Sequence, residues 1–158
     1  MKIRKNTLWK VPLFCAAASW LSFYLTVYLG RFFFVVKTVG EDGVTEVYAD
    51  PVRSALFNGA VFVLILLIGG LWAFRSMSRA ELVASAGIAA TLYLLICVFQ
   101  LAVSGTPGLG LWLSYIQNWT AILNSFLFSI TGSLKLSALL SSFAPLLFIP
   151  FGRKRIKS

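Results

Sequence analysis

The chain has 158 residues, of which 59% are hydrophobic and only 12% are charged, and its mean hydropathy is +0.86. About a quarter of the residues in a soluble domain are charged, so this composition excludes an ordinary water-soluble domain. The net charge of +9 does not indicate nucleic-acid binding, because the basic residues flank apolar segments and form no basic face interleaved with aromatic side chains. We expect an all-α integral membrane protein that forms a single membrane domain over residues 1–158.

The first apolar segment, from about Val11 to Leu29, is long enough to cross a bilayer, which requires about 20 residues. Its basic start and the small residues Ala16–Ala18 are also typical of a secretory signal peptide. A cleaved signal would end near those small residues, whereas the apolar residues here continue to Leu29. The sequence therefore predicts an uncleaved transmembrane helix over residues 11–29.

The loop at residues 32–50 is predicted to form a small extracytoplasmic β-hairpin. Two runs rich in β-branched and aromatic residues, Phe33–Val39 and Val44–Tyr48, flank the turn residues Gly40–Gly43, which is the pattern of a hairpin. Because two isolated strands are only marginally stable in water, we expect the hairpin to pack on an outer helix or on a partner.

Two further spans are predicted at about residues 55–74 and 82–103. The segment from Ala55 to Phe74 contains the uninterrupted apolar run Ala60–Ile68. The following segment begins with small residues at 84–90, which allow helix backbones to approach closely.

The apolar region from Leu109 to Phe151 is divided at Thr131–Ser133, and either piece could cross the membrane. Cytoplasmic loops carry an excess of Lys and Arg. Four spans with both termini in the cytoplasm place ten of the fourteen basic residues inside, whereas a fifth span would move the carboxy-terminal cluster outside. We therefore predict a fourth span at 134–151 and an outer-leaflet helix at 111–130 that does not cross, lying either at the interface or as a re-entrant segment.

Catalytic and metal-binding chemistry is largely excluded by residue type. The chain has no histidine and only two cysteines, Cys15 and Cys97, so histidine-based triads and zinc sites cannot form. The two cysteines would differ in depth by roughly 15–20 Å along their helices, too far for a disulfide. We expect no catalytic residue, no metal and no cofactor.

Uncharged polar residues within the apolar segments are the remaining candidates for a site, because an amide in hydrocarbon must find a hydrogen-bond partner. The candidate polar recognition or path residues are Asn58, Gln100, Gln117, Asn118 and Asn124. In the 111–130 segment, a polar stripe from Ser114 to Ser129 is expected to face the bundle or outer water. The tryptophans Trp112 and Trp119 are expected to face lipid or the interface.

Two functional hypotheses remain open. In the first, the protein is a non-enzymatic accessory or interaction subunit whose hairpin and outer helix form a recognition surface. In the second, it is an oligomeric transport or channel component in which the Ser114–Ser129 stripe lines a path for a neutral solute or lipid. Both place it in the plasma or inner membrane, with basic ends on anionic headgroups at the cytoplasmic face, a membrane protein or a second copy as partner, and no nucleic acid.

Overall fold

The structure, a computed structural model, describes residues 5–39, 45–102 and 115–153. The elements within these residues are named in chain order: α1 (Lys10–Phe33), β1 (Val35–Val39), β2 (Thr45–Ala49), α2 (Pro51–Ala73), α3 (Arg79–Ala102), α4 (Ala121–Thr131) and α5 (Leu134–Phe151). Four of them, α1, α2, α3 and α5, are long and apolar enough to cross a membrane. They correspond to the four spans that the sequence predicts.

Helices α2 and α3 begin earlier than the hydropathy pattern indicates, because polar residues cap them. The Asp50 side chain accepts hydrogen bonds from the backbone N–H groups of Val52 and Arg53, so α2 begins at Pro51, where proline is well tolerated. At the start of α3, the Ser78 backbone N–H donates to the Glu81 carboxylate at 3.0 Å, and the Ser78 hydroxyl accepts from the Glu81 N–H. This reciprocal pair is a capping box.

The fourth predicted span is not a uniform α-helix. Its first part, Leu134–Ser141, is α-helical, and Ala144–Phe151 is a 3₁₀-helix. Pro145 and Pro150 lack backbone N–H groups and cannot continue the α-helical ladder. The larger rise of the 3₁₀-helix gives α5 a length of about 30 Å, which still matches the hydrocarbon thickness of a bilayer.

The β-hairpin prediction is confirmed, with strand bounds shifted by one or two residues. Strands β1 and β2 pair antiparallel, with Val35 opposite Ala49 and Val39 opposite Thr45. The predicted turn and Val44 lie outside the described residues. Phe33 belongs to α1 because the helix continues beyond Leu29 through a wider π-helical turn at Leu25–Leu29.

The two ends of the helix bundle differ in chemistry. At one end, which we call the basic end, lie Lys10, Arg75, Arg79 and Arg153. Here the Arg79 backbone N–H donates to the Arg153 carbonyl, and the Arg153 N–H donates to the Met77 carbonyl at 3.2 Å. These bonds join the start of α3 to the end of α5, so the two helices run antiparallel.

The opposite end, which we call the hairpin end, carries β1, β2, the end of α3 and the α4–α5 turn. That turn contains Gly132 with φ +64°, a left-handed conformation that glycine adopts readily. The Ser133 hydroxyl then accepts from the Leu136 N–H and caps α5. The α4 helix therefore packs alongside α5. Its first residue lies toward the middle of the bundle and its last residue lies at the hairpin end.

The helix predicted at 111–130 is shorter in the structure than expected. Residues 111–114 lie outside the described part, and the α-helix covers only Ala121–Thr131, about 17 Å of rise, which is too short to cross a bilayer. The preceding residues 115–120, which we call the inserted segment, include a 3₁₀ turn at Asn118–Thr120. This segment contacts α1, α2 and α3 near their midpoints, as its hydrogen bonds and ring contacts show.

Candidate functional site: an uncharged polar pocket

The inserted segment is held by hydrogen bonds to the middle of two helices. The Ser19 hydroxyl donates to the Ile116 carbonyl oxygen at 2.5 Å, and Gln117 Nε2 donates to the Tyr93 carbonyl oxygen at 2.8 Å. Ser19 and Tyr93 lie about 14 and 21 Å from the starts of their helices by the α-helical rise. The chain therefore enters the bundle to about half its depth before α4 returns to the hairpin end.

Trp119 anchors the inserted segment in the core. Its side chain is 1% exposed, and its Nε1 donates to the Tyr93 hydroxyl at 3.0 Å. The indole stacks on Phe62 and Phe148, with ring centroids 5.4 and 5.8 Å away. The prediction that Trp119 faces lipid or the interface is therefore wrong, since the indole N–H finds its partner inside the bundle and not at a headgroup.

A pocket of about 180 Å³ lies where the inserted segment meets α3, α4 and α5, and we call it the amide pocket. The residues that line it are Gln100, Gln117, Asn118, Thr120, Ala121, Asn124, Ala138 and Ser141. None of these side chains ionises. Its four amide residues are half-buried, whereas Thr120 and Ser141 are buried.

The amide pocket brings together four of the five candidates that the sequence predicts: Gln100, Gln117, Asn118 and Asn124. The fifth, Asn58, does not line it. Its Oδ1 accepts from the Thr26 hydroxyl at 3.2 Å, and its Nδ2 donates to the Ser54 carbonyl oxygen at 2.9 Å. Asn58 therefore links α1 to α2 at a separate place in the bundle.

The hydroxyl groups of the pocket are oriented by their own helical turns. The Thr120 hydroxyl donates to the Gln117 carbonyl at 2.7 Å, and the Ser141 hydroxyl donates to the Ala138 carbonyl at 2.9 Å. A hydroxyl has a single hydrogen, so each of these groups has only acceptor lone pairs left for anything in the pocket.

Asn124 supplies a third acceptor. Its Oδ1 is buried and accepts no hydrogen bond from any residue in the described part of the chain. A buried acceptor without a partner costs about 1–3 kcal/mol. The oxygen also has almost no accessible surface, so a donor in the pocket reaches it only after the Asn124 side chain rotates.

Two of the four amide side chains are held in place by hydrogen bonds to α1 and α3. Asn118 Nδ2 donates to the Ser22 hydroxyl at 3.3 Å, and Gln117 Nε2 donates to Tyr93 as described above. These bonds fix the two side chains and use one amide hydrogen from each. Each of the two keeps a second amide hydrogen, and the Asn124 amide has two hydrogens of its own, so the pocket is preorganised and offers donors as well as acceptors.

Sequence reasoning missed the residues that hold the inserted segment in place and those that supply the pocket's hydroxyl groups. Tyr93 and Trp119 position the inserted segment, and Thr120 and Ser141 supply the hydroxyls. One signal was available for Trp119: a segment without charge that carries an indole N–H is expected to satisfy it inside the bundle. Trp112 and Ser114, which also belong to the predicted stripe, lie outside the described residues.

Within the described ranges, His, Cys, Asp and Glu form no group of three that could hold a metal ion. Cys15 and Cys97 are both buried and unpaired with one another, in agreement with the prediction of separate thiols. Comparison of the chain with protein-family models, curated proteins and solved structures finds no match. The functional argument therefore rests on the geometry of this chain alone.

Proposed function

We propose that this chain is a non-enzymatic, four-span membrane protein that binds a small neutral polar group in the amide pocket, for transport or for recognition. The observation that carries the proposal is a pocket lined by four amide side chains and two hydroxyl groups, with no charged residue among those that line it. Small-molecule sites typically combine a preformed cavity with a few convergent polar groups, and the amide pocket has both properties.

Membrane insertion is supported by the distribution of apolar and polar side chains. Large apolar residues on the outer faces of the helices are exposed, for example Trp72 at 81%, Leu56 at 70% and Leu13 at 67%. Conversely, small hydroxyl residues are buried between the helices: Ser19, Ser22, Ser85, Ser137, Ser141 and Ser142. A water-soluble protein has the reverse pattern, whereas membrane helices use small and hydroxyl residues as contact points.

The charge distribution supports a cytoplasmic location for the basic end. In the sequence, ten of the fourteen Lys and Arg residues lie up to the start of α1, between α2 and the start of α3, or after α5, whereas four belong to the segments at the hairpin end. Basic residues favour the cytoplasmic side of a membrane. The hairpin and the α4–α5 turn would then be extracytoplasmic. The amide pocket would lie in the outer half of the bilayer, since it is lined by Gln100 near the end of α3.

Cysteine labelling tests the topology. Single cysteines at Asp42 and Ser158, in a background with Cys15 and Cys97 replaced by alanine, are expected to react from opposite sides of the membrane. If an impermeant thiol reagent applied outside labels both positions, the four-span topology is wrong.

Access to the pocket is tested by a cysteine within it. In the same background, Ala138→Cys is expected to react with a small neutral maleimide, because a thiol in a polar pocket can ionise. Val63→Cys is the matched control, since Val63 lies on the apolar face of α2 and is 53% exposed. A lipid-facing thiol stays protonated and inert, and an unreactive Ala138→Cys would remove the support for a ligand site.

The hairpin supports a second candidate function, that of an interaction subunit. All five residues of β2 are exposed, including Val47 at 60% and Tyr48 at 48%. The base of the hairpin is nevertheless fixed, since the Asp50 N–H donates to the Phe34 carbonyl at 2.8 Å and the Phe34 ring contacts Phe57. A rigid, exposed and partly apolar two-stranded ribbon suits contact with another membrane protein or a second copy.

Photocross-linking tests this second candidate. A photoreactive residue at Val47 is expected to give a discrete adduct in the native membrane, while the same residue at Glu46, on the other face of β2, is the matched control. Equal and diffuse labelling at both positions would contradict a specific contact through the Val47 face.

A further inference from the structure

The amide pocket presents amide donors and hydroxyl acceptors to its interior, and none of the residues that line it is charged. Asn124 Oδ1 has no hydrogen-bond donor among the described residues. The hydroxyl hydrogens of Thr120 and Ser141 are committed to backbone carbonyls at 2.7 and 2.9 Å. A group that only accepts hydrogen bonds would therefore pair with the amide hydrogens and leave the two hydroxyl oxygens without a donor.

Charge narrows the ligand further. None of the residues lining the pocket is Asp, Glu, Lys or Arg, and burying an unpaired charge in a membrane bundle is expensive. A carboxylate or phosphate would find no Lys or Arg in the lining, and an ammonium group would find no carboxylate. The ligand is therefore neutral and donates hydrogen bonds.

Size sets the last constraint. The pocket holds about 180 Å³, and each water in the liquid occupies about 30 Å³, so there is room for roughly six non-hydrogen atoms. This is the size of a three-carbon polyol. An alcohol also has lone pairs of its own, which can accept from any amide hydrogen that the pocket still offers.

We infer that the amide pocket binds a neutral polyol group of about the size of glycerol, whose hydroxyls donate to Thr120 and Ser141 and exchange hydrogen bonds with the lining amides, Asn124 among them. This inference rests on the proposed function and specifies its ligand class. The polyol could be a free solute or the headgroup of a neutral lipid, which share this chemistry.

The test compares matched probes on the wild-type protein in detergent micelles, with the rise in thermal unfolding midpoint as the measure of binding. The probes are glycerol, its trimethyl ether, a monoacylglycerol and the dimethyl ether of that monoacylglycerol. Each ether keeps the shape of its alcohol but cannot donate. The alcohols are expected to bind at least about tenfold more tightly than their ethers, since each hydrogen bond is worth about 0.5–1.5 kcal/mol and 1.4 kcal/mol is tenfold.

Variants locate the effect. Asn124→Leu is expected to weaken binding of the alcohol about tenfold, and Asn58→Leu is the matched control, because it removes an amide that does not line the pocket. Binding of both alcohols points to a free solute, whereas binding of the monoacylglycerol alone points to a lipid headgroup, and both outcomes support the inference.

The failures are distinguishable. If the ethers bind as tightly as the alcohols, or if Asn124→Leu and Asn58→Leu weaken binding equally, the polyol inference is overturned and a neutral-ligand pocket still stands. If no alcohol binds although Ala138→Cys reacts with the maleimide, the ligand class is wrong and the pocket is not. If Ala138→Cys is also inert, both proposals fail.

Discussion

Asn58 and Asn124 have the same side chain and lie in the same half of the bundle, yet their hydrogen bonding differs. Asn58 bonds to Thr26 and Ser54 and joins two helices. The Asn124 oxygen has no partner in the described part of the chain, and the Asn124 side chain lines a pocket. The comparison shows that an amide in an apolar segment does not mark a site by its type alone. A structural amide differs from a candidate site residue in whether its hydrogen bonds are completed within the protein.

The largest expected effect comes from releasing the inserted segment, residues 115–120, because this segment forms part of the pocket beside Asn124. Trp119→Ala removes a buried indole and its hydrogen bond to Tyr93, and we expect a loss of about 3–5 kcal/mol in the free energy of unfolding. Trp72→Ala is the matched control because Trp72 is 81% exposed. Unfolding in mixed micelles measures both. Equal losses for the two variants would contradict a core position for Trp119.

The same variant tests whether the pocket depends on the inserted segment. If Trp119→Ala still folds, polyol binding is expected to fall below detection, since Asn118 and Thr120 on either side of it line the pocket. Such a loss would show that the pocket forms only when the inserted segment is in place. Unchanged binding in Trp119→Ala would show that α3, α4 and α5 form the site without it.

A smaller effect is expected at Asn58. Asn58→Leu breaks its contact with Thr26 across α1 and α2, and such bonds in membrane bundles are worth about 0.6 kcal/mol on average. The free energy of unfolding should fall by about that amount, with polyol binding unchanged. A loss of binding in this variant would remove the distinction between the two amides.

Asn124→Leu is expected to have a different balance of effects. No protein hydrogen bond from its oxygen is lost, so the free energy of unfolding should stay within about 0.5 kcal/mol of the wild type or rise. Ligand binding should nevertheless weaken. A variant that is destabilised as much as Asn58→Leu would indicate that Asn124 is also structural.

The sequence indicates much of the fold because two patterns dominate membrane chains. These are apolar segments of about 20 residues and an excess of Lys and Arg in cytoplasmic loops. The four apolar segments, the hairpin and the break at Gly132 follow from residue type. The caps at Asp50 and Ser78 were also written in the sequence, and they account for the earlier starts of α2 and α3.

The candidate site could be predicted only in part. Amides in apolar segments are rare enough to be noticed, and four of the five chosen residues line one pocket. Their separation from Asn58 depends on tertiary contacts between residues 20–100 positions apart, such as Ser19 with Ile116, and no local pattern encodes these. The depth of the inserted segment likewise follows from Trp119 and Tyr93 meeting across the bundle.

The smallest expected effect is that of pH. No residue lining the amide pocket is ionisable, and the chain contains no histidine, the side chain that ordinarily titrates between about pH 5 and 8. Neither the pocket nor a neutral polyol changes charge in that range, so the affinity should be constant. We would measure it through the unfolding midpoint with and without glycerol or the monoacylglycerol at several pH values, using Asn58→Leu as a second sample with an intact pocket. A change of more than about threefold in affinity, about 0.65 kcal/mol, would mean that an ionisable group lies close enough to the ligand to sense it. The difference between Asn58, which is bonded within the protein, and Asn124, which lines the pocket, would then have to include a charged group near the ligand.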